Sequence, residues 1–316
     1  MKRLSVIMPC YNEEKNIKLI FDNISMLFDK TDYRFELVFI NDGSKDKTLI
    51  ELKKLITTKL CDIKIINFSR KFGTEEGMYA GLQNCTGEYA VIIDADMQQN
   101  PKLILDMLDV IENNDEYDSV AFYQEKRNEN IVLALFKNMF YKLINKISEI
   151  EFVSGASDFR LINRNMIDNI VKMTETNRFS KGIFSWIGFN TYYLPYKADN
   201  RVNGSTNWSF WKLFKYAMFG IMSFSNGPLR LATLFGVMFS VLSFIYLVIV
   251  IIQKIMFGIA ISGYATIVVL ILLLGGIQLL VLGIIGEYLA KAYTEIKHRP
   301  IYIAKEIITN KEGRGK

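Results

Sequence analysis

The chain has 316 residues, of which 50% are hydrophobic, and its formal net charge is +5. This length supports one substantial core and leaves sequence for further elements. No basic helix and no alternation of aromatic with basic residues accompanies the positive charge, so nucleic acid is not an expected partner. The only histidine, His298, and three scattered cysteines without C-x-x-C spacing argue against a metal cluster or a disulfide framework. Acid, base or metal chemistry is therefore expected from carboxylates.

The first hundred residues alternate short apolar runs with segments of helical periodicity. Strands are predicted at residues 4–8, 35–40, 63–68 and 89–93, with helices at 14–28 and 45–55. Such alternation is typical of βαβ units and predicts an α/β fold with a doubly wound, mostly parallel sheet. In sheets of this kind, ligands bind beyond the carboxyl ends of the strands.

The region from 101 to 198 mixes further helices and strands. Helices are predicted at 103–112, 131–147 and 165–173, and strands at 119–123 and 192–195. The next segment, 208–224, is rich in aromatic residues with Lys212 and Lys215 among them. It predicts an amphipathic helix at a membrane interface, and a core helix of the soluble domain is the alternative.

Two long stretches without charged residues follow, at 231–253 and 255–286, separated by Lys254. Each supplies the roughly 20 apolar residues that a membrane-spanning helix needs, although a pair of buried core helices is the alternative. Basic residues flank the outer ends of the pair, so both termini are predicted to be cytoplasmic and the protein to lie in the cell membrane. These flanking residues are Lys212, Lys215, Arg230, Lys291, Lys297, His298, Arg299 and Lys305.

Four segments are predicted on this basis. They are a cytoplasmic catalytic domain (1–205), an interfacial segment (206–228), two transmembrane helices (229–290) and a basic cytoplasmic tail (291–316), which is expected to be disordered after Lys305. Glycines at 275, 276, 283 and 286 suit a packing face between helices, so a homo-oligomer is an open alternative.

Polar clusters follow each of the first four predicted strands. They are Pro9-Cys10-Tyr11-Asn12-Glu13, Asn41-Asp42-Gly43-Ser44, Ser69-Arg70-Lys71-Phe72-Gly73 and Asp94-Ala95-Asp96-Met97-Gln98. Because the carboxyl ends of parallel strands meet at one edge of a sheet, the four clusters are expected to converge.

The D-x-D pair, Asp94 and Asp96, suits a hard cation such as Mg²⁺ or Mn²⁺ that keeps open positions for diphosphate oxygens. An acidic turn that caps the following helix is the alternative. Asp42 suits the N–H of a base or a ribose hydroxyl, Tyr11 suits stacking on a base, and Glu13 suits a ribose hydroxyl. A plain Asn-Asp-Gly-Ser loop and a first-turn helix acid are the alternatives for Asp42 and Glu13.

In this order, the four clusters resemble the inverting family 2 glycosyltransferases of the GT-A fold. Asp158-Phe159-Arg160, Arg201-x-x-Gly204 and the two predicted spans are similar to the branch of dolichol-phosphate mannose synthases and bactoprenol glucosyltransferases. The resemblance extends from residue 4 to about 300. The sequence departs from the family pattern at Gln99-Asn100, where relatives often have a histidine or proline, and at Thr206-Asn207.

The resemblance implies a role for each matching residue. Pro9, Tyr11, Glu13 and Asp42 would contact the nucleoside, and Arg70 would belong to the nucleotide-sugar site. Asp94, Asp96 and Gln98 would hold the metal and the diphosphate, and Arg201 would reach over the phosphates. Asp158 would lie near the sugar or the acceptor, and Arg127 and Arg160 are candidates to bind an anionic acceptor.

The implied reaction is transfer of a hexose from a nucleotide-sugar to a polyprenyl phosphate, undecaprenyl phosphate, at the cytoplasmic face of the membrane. UDP-glucose or a related UDP-sugar is the expected donor, and GDP-mannose is the alternative. A phosphate monoester is largely anionic near neutral pH, with a second pKa of about 6, so the acceptor needs orientation more than a strong base.

Two other functions compete with this interpretation. A catalytically inactive scaffold of the same fold would not need Asp94 and Asp96. A polysaccharide-elongating synthase would carry a Q-x-x-R-W motif and more spans, and the sequence has neither.

Overall fold

The computed structural model describes residues 2–27, 30–124, 145, 153, 155–196, 225, 227–257 and 263–310. The interfacial segment 208–224, Arg127 and Arg201 lie outside these ranges, as do all residues of the helix predicted at 131–147 except Asn145. The described strands are β1 (Arg3–Cys10), β2 (Arg34–Asn41), β3 (Asp62–Phe68), β4 (Tyr89–Ile92), β5 (Ser119–Gln124), β6 (Ala156–Asn163), β7 (Thr191–Tyr196) and β8 (Ala304–Thr309). The described helices are α1 (Ile17–Ser25), α2 (Thr48–Leu55), α3 (Thr74–Asn84), α4 (Leu103–Asn113), α5 (Arg164–Lys172), α6 (Ser180–Trp186), α7 (Gly227–Phe257) and α8 (Tyr264–Ile296).

The strands form a single eight-stranded sheet in the order β7-β5-β6-β4-β1-β2-β3-β8. Its centre, β4-β1-β2-β3, is parallel throughout. Strand β6 joins β4 in the antiparallel direction, and β8 joins β3 in the same way. The prediction of a mostly parallel α/β sheet is confirmed.

Both faces of the central strands are covered, which explains why they consist of continuous apolar runs. In β1, Val6 and Met8 belong to the core beneath α1 and α4, whereas Ile7 belongs to the core on the opposite face, beneath α3 and α5. Helix α3 approaches β1 closely because Gly81 has no side chain. A Cβ at Gly81 would lie 2.1 Å from Cγ2 of Ile7.

The predicted strands and helices differ from the observed ones mainly at their ends. Four elements were missed, namely strands β6 and β8 and helices α3 and α6. Their apolar residues are interrupted by charges and glycines, as in the segment Thr74–Asn84, and such interruptions weaken the periodic signal.

The expectation of disorder after Lys305 is wrong for the residues of β8. Ile307 and Ile308 pair with Ile66 and Ile65 of β3, and β8 closes that edge of the sheet. Only every second residue of this short strand is partly buried, so its apolar pattern is faint.

Helices α7 and α8 contain two candidate membrane spans, Gly227–Met256 and Leu273–Ile296. No part of the apolar window of either helix is buried within the protein. A core helix would be mostly buried, so the exposure favours the membrane interpretation over the core-helix alternative. Helix α8 continues six residues beyond the predicted boundary at 290, to Ile296.

Candidate active site

The loops after β1 and β2 are joined side by side. Asn12 occupies the left-handed region, with φ 58°, and its backbone N–H donates to Oγ of Ser44 at 3.0 Å. The N–H of Lys45 donates back to Oδ1 of Asn12 at 2.9 Å, and the N–H of Glu13 donates to Oγ1 of Thr48 at 2.8 Å. These bonds fix Glu13 relative to the turn that follows β2.

Asp42 lies buried in that turn, and its carboxylate holds the loop after β3. Oδ1 of Asp42 accepts from the N–H of Phe72 at 2.6 Å and from that of Gly73 at 3.3 Å. Burial raises the pKa of Asp42, and the two backbone donors oppose this shift. The close approach requires Gly43, because its φ is +63° and a Cβ there would lie 2.5 Å from the carbonyl carbon of Arg70. Asp42 therefore links two strand ends through Oδ1, and among the described residues no hydrogen bond to its Oδ2 is found.

Two exposed cations follow β3 at the same edge. Nζ of Lys71 lies 3.4 Å from the centroid of the Tyr11 ring, and Cζ of Arg70 lies 4.0 Å from that of Phe72. Pro9 points towards α3, with its Cβ 3.3 Å from where a Cβ on Gly77 would be. Cations beside a half-buried aromatic ring suit a nucleotide, since its base is flat and its phosphates are anionic.

The predicted metal loop after β4 is closed by a residue to which the sequence analysis assigned no role. Gln99 is buried, its Nε2 donates to Oδ2 of Asp94 at 2.9 Å, and its Oε1 accepts from the N–H of Asp94 at 2.9 Å. Met97 takes a left-handed conformation, with φ 62°, and the N–H of Gln98 donates to Oδ1 of Asp96 at 3.1 Å. Gln99 thus orients one carboxylate of the D-x-D pair. The sequence signal for Gln99 was its departure from the family pattern.

Negative charge is concentrated around Asp94. Burial and the nearby carboxylates of Asp96, Asp158 and Glu13 together raise the pKa of Asp94 from 3.8 to about 7, while the bond from Gln99 opposes the shift. A divalent cation would relieve this repulsion, and carboxylate oxygens are the ligands that Mg²⁺ and Mn²⁺ prefer. Among the described residues, no group of three or more histidine, cysteine, aspartate or glutamate side chains could hold a metal ion. The Asp94–Asp96 pair by itself supplies two carboxylates to such a cation.

Strand β6 brings Asp158 to this cluster. It pairs with β4 so that Arg160 lies opposite Ile92, and Asp158 is close enough to raise the pKa of Asp94. Oδ1 of Asp158 is buried without a hydrogen-bond partner among the described residues. A buried carboxylate oxygen without a partner is available to accept a hydrogen bond from a bound ligand.

Arg160 is 2% exposed, which the sequence did not indicate. Its guanidinium carbon lies 3.7 Å from the centroid of the Phe184 ring, and Nη2 donates to the carbonyl of Ser157 at 3.1 Å. Burial lowers the pKa of Arg160, and Asp158 opposes this shift. Nε and Nη1 have no partner among the described residues. Its predicted contact with an acceptor stays a prediction and would have to reach a buried guanidinium.

A further acidic residue, Glu75 in the first turn of α3, was also missed. Its carboxylate accepts from the N–H of Ser180 at 2.8 Å and from the Ser180 hydroxyl. Burial and the charge of Asp158 together raise the pKa of Glu75 to about 7, although the hydrogen bonds from Ser180 oppose the shift. Glu75 therefore belongs to the same electrostatic cluster as the predicted site. No sequence signal identified it, because an acid in a first helical turn is ordinary.

The structure thus gathers Tyr11, Glu13, Asp42, Asp94 and Asp158 along one edge of the sheet, together with the other predicted strand-end residues. The sheet is mostly parallel and carries its carboxylate pair at the end of β4, and this combination defines a GT-A glycosyltransferase fold. Two candidate membrane spans follow it.

Comparison with known proteins identifies the family. Residues 5–171 match the family described as Glycosyl transferase family 2, and residues 227–292 match the GtrB C-terminal hairpin. The chain belongs to glycosyltransferase family 2.

Relatives extend over almost the whole chain. The putative glycosyltransferase CsbB of Bacillus subtilis (strain 168) is 42% identical, over 98% of this chain and 93% of the relative. The bactoprenol glucosyl transferase of Shigella phage SfV is 35% identical, over 96% of this chain and 98% of the relative. A solved structure, glucosyl-3-phosphoglycerate synthase from Mycobacterium tuberculosis with Mn²⁺ and UDP-glucose, is 16% identical, has a TM-score of 0.45, and aligns over 70% of this chain and 77% of that one.

Proposed function

We propose that this protein transfers a hexose, with inversion, from a nucleotide-sugar to undecaprenyl phosphate at the cytoplasmic face of the cell membrane. The observation that carries the proposal is the meeting of Asp94, Asp96 and Asp158 at the strand ends of a family 2 domain. The match to the GtrB hairpin supports a membrane-confined acceptor. The names of relatives, among them the bactoprenol glucosyl transferase of Shigella phage SfV, support a polyprenyl phosphate and glucose.

For the donor we propose UDP-glucose or a related UDP-sugar. Tyr11 and Asp42 line the part of the edge suited to a nucleoside, with the Tyr11 ring for stacking and the free oxygen of Asp42 for an N–H or hydroxyl. Lys71 has to leave the face of Tyr11 that it covers before a base can stack there. Arg70, Gln98 and Arg201 are proposed to contact the diphosphate region.

Asp94 and Asp96 would hold Mg²⁺ or Mn²⁺. When bound, the cation supplies positive charge that stabilises the departing nucleoside diphosphate. Gln99 keeps Asp94 oriented towards it, and Glu13 adds negative charge to the same side.

In the transfer, an oxygen of the lipid phosphate attacks the anomeric carbon of the sugar. The bond from that carbon to the diphosphate oxygen breaks, and the nucleoside diphosphate leaves with the electron pair. Since the acceptor oxygen is already anionic, no strong base is required. Asp158 orients the sugar or acceptor, and Arg127 and Arg160 are proposed to neutralise the acceptor phosphate.

The spans suit this chemistry, because a polyprenyl chain stays in the bilayer. We propose that residues 1–205 and both termini are cytoplasmic, that 206–228 lies at the interface, and that 229–290 crosses the membrane twice.

The proposal is tested by lipid labelling. Membranes containing the full chain receive undecaprenyl phosphate, Mg²⁺ or Mn²⁺, and a panel of radiolabelled UDP- and GDP-sugars. Label from one donor should enter organic-extractable lipid, and it should disappear with EDTA. Asp96→Ala should lower the rate by at least about 100-fold, because a metal ligand is removed.

Lys102→Ala is the control, since Lys102 is an exposed residue just beyond the metal loop. Labelling that survives EDTA, or that Asp96→Ala leaves unchanged, would rule out the metal-dependent mechanism. No label from any donor would favour an inactive scaffold.

A further inference from the structure

The cytoplasmic end of α8 is bonded to the catalytic domain through one side chain. Glu295 is the penultimate residue of that helix. Its two carboxylate oxygens each accept from the N–H of Thr176 at 3.0 Å, and Oε1 also accepts from the N–H of Asn177 at 3.1 Å. A carboxylate bound by two consecutive backbone amides is a charge-assisted contact with a defined direction.

This placement has a cost within the helix. A negative side chain in the last turn lies at the negative end of the helix dipole, which is unfavourable. The amides of Thr176 and Asn177 offset that cost only while they stay in place. Glu295 is therefore suited to holding the segment that it contacts rather than to stabilising α8.

The contacted segment leads directly into the active site. After Asn177 comes Arg178, a buried residue whose Nη1 donates to the carbonyl of Met173 and whose Cζ lies 4.4 Å from the centroid of the Tyr79 ring. Ser180 follows and bonds to Glu75 through both its N–H and its hydroxyl. The two ends of segment 176–180 are thus fixed, one by the membrane helix and the other by Glu75.

Glu75 in turn lies beside the reacting groups. Its carboxylate is close enough to Asp158 for the two negative charges to interact, and Asp158 interacts in the same way with Asp94. Hydrogen bonds therefore connect the end of the candidate span to Glu75 through segment 176–180, and charge interactions extend from Glu75 to Asp158 and Asp94 at the proposed site of transfer. Every member of the series is a described residue.

We propose that Glu295 is a positioning residue for glycosyl transfer. It holds segment 176–180 at a fixed place relative to α8, so that Ser180, Glu75 and Asp158 keep their positions beside the site of transfer while the acceptor is presented from the bilayer. This inference rests on the proposed function, because it concerns the lipid-acceptor step. Misplacement of reacting groups by about 1 Å can cost on the order of 100-fold in rate, so such a bond has a measurable effect on transfer.

The test uses the full chain in lipid nanodiscs containing undecaprenyl phosphate, with the donor that labels lipid best. Glu295→Ala should lower kcat for lipid glycosylation by about 10-fold or more, while KM for the nucleotide-sugar stays within about twofold. Glu295→Gln keeps an oxygen that can accept from both amides, so its kcat should fall less than that of Glu295→Ala. Glu287→Ala, a change at an exposed glutamate two turns earlier in α8, is the matched control and should behave like wild type.

Hydrogen–deuterium exchange provides the second measurement. In Glu295→Ala, exchange should rise in residues 174–180 and stay unchanged in the central strands. Wild-type kcat in Glu295→Ala would overturn the inference, as would faster exchange throughout the domain, which would indicate a general structural role. If wild type itself labels no lipid, the proposed function fails and this inference fails with it, whereas active wild type with unaffected variants overturns this inference alone.

Discussion

In the loops that follow β1 and β2, hydrogen-bonded residues lie close together in the sequence. In the region around Ser180, hydrogen-bonded residues lie much farther apart in the sequence. The N–H of Lys45 reaches Asn12 across 33 positions, the length of one βαβ unit. Ser180 meets Glu75 across 105 positions, and Thr176 meets Glu295 across 119. One part of the site is built within adjacent units, and the other depends on distant segments that meet only in the folded chain.

This difference affects what each part can tolerate. The strand-end loops share several bonds among neighbouring residues, so the loss of one leaves others in place. The Ser180 region depends on a few buried polar contacts, and a buried group left without its partner costs about 1–3 kcal/mol. We therefore expect single changes around Ser180 to have larger and more pH-dependent effects on stability.

The largest expected effect on stability concerns Glu75. Its pKa is about 7 in the folded chain and 4.5 ordinarily, so the folded state binds this proton more tightly. The Glu75 carboxyl contributes up to about 3 kcal/mol to the free energy of unfolding. This contribution is fully present below pH 4.5 and is lost as pH rises through 7. The side chain of Glu75→Gln cannot ionise. This variant should therefore unfold at a higher temperature than wild type at pH 8, and at nearly the same temperature at pH 4.5.

Thermal unfolding in detergent across this pH range tests the expectation. The neighbouring charges that act on Glu75 are Asp158, which favours the neutral form, and Arg178, which opposes it. Glu116→Gln, at an exposed site, should show no such pH dependence. A constant difference between Glu75→Gln and wild type at all pH values would contradict the assignment.

A smaller effect is expected in the strand-end loops, at Gln99. Gln99→Leu removes both bonds to Asp94 and leaves the carboxylate free to turn, so metal affinity should fall by about 10-fold or more. The metal concentration that gives half-maximal transfer measures this, with Lys102→Ala as the control. An unchanged metal requirement would show that the loop holds Asp94 without Gln99, and would strengthen the contrast between the two regions.

The smallest effect is expected at the edge strand β8. Glu306 accepts from Nδ2 of Asn67 at 3.0 Å and pairs with Nζ of Lys53 at 3.0 Å, but both charged partners are exposed. Glu306→Ala should cost less than about 1 kcal/mol, since exposed ion pairs contribute little and the backbone pairing of β8 remains. Chemical denaturation, compared with Ile308→Ala in the same strand, checks this. A larger loss for Glu306→Ala than for Ile308→Ala would show that side-chain contacts hold the edge.

The prediction from sequence succeeded where a residue and its partner lie within one repeating unit. Strands β1 to β4 were predicted because each is a continuous apolar run, and their polar ends follow from the direction of a parallel sheet. Strand β8 was missed because half of its residues face solvent, and β6 was missed although its residues Asp158-Phe159-Arg160 were singled out as a motif.

The sequence by itself determined the α/β class, the family, the carboxylate pair and the two apolar helices, because local periodicity or a short motif indicates each of them. Only the tertiary structure decided that Arg160 is buried against Phe184, that Gln99 braces Asp94, and that Glu295 meets the segment leading to Ser180. Burial and long-range hydrogen bonds depend on which distant segments become neighbours, and that information emerges only when the sheet and its connections are assembled.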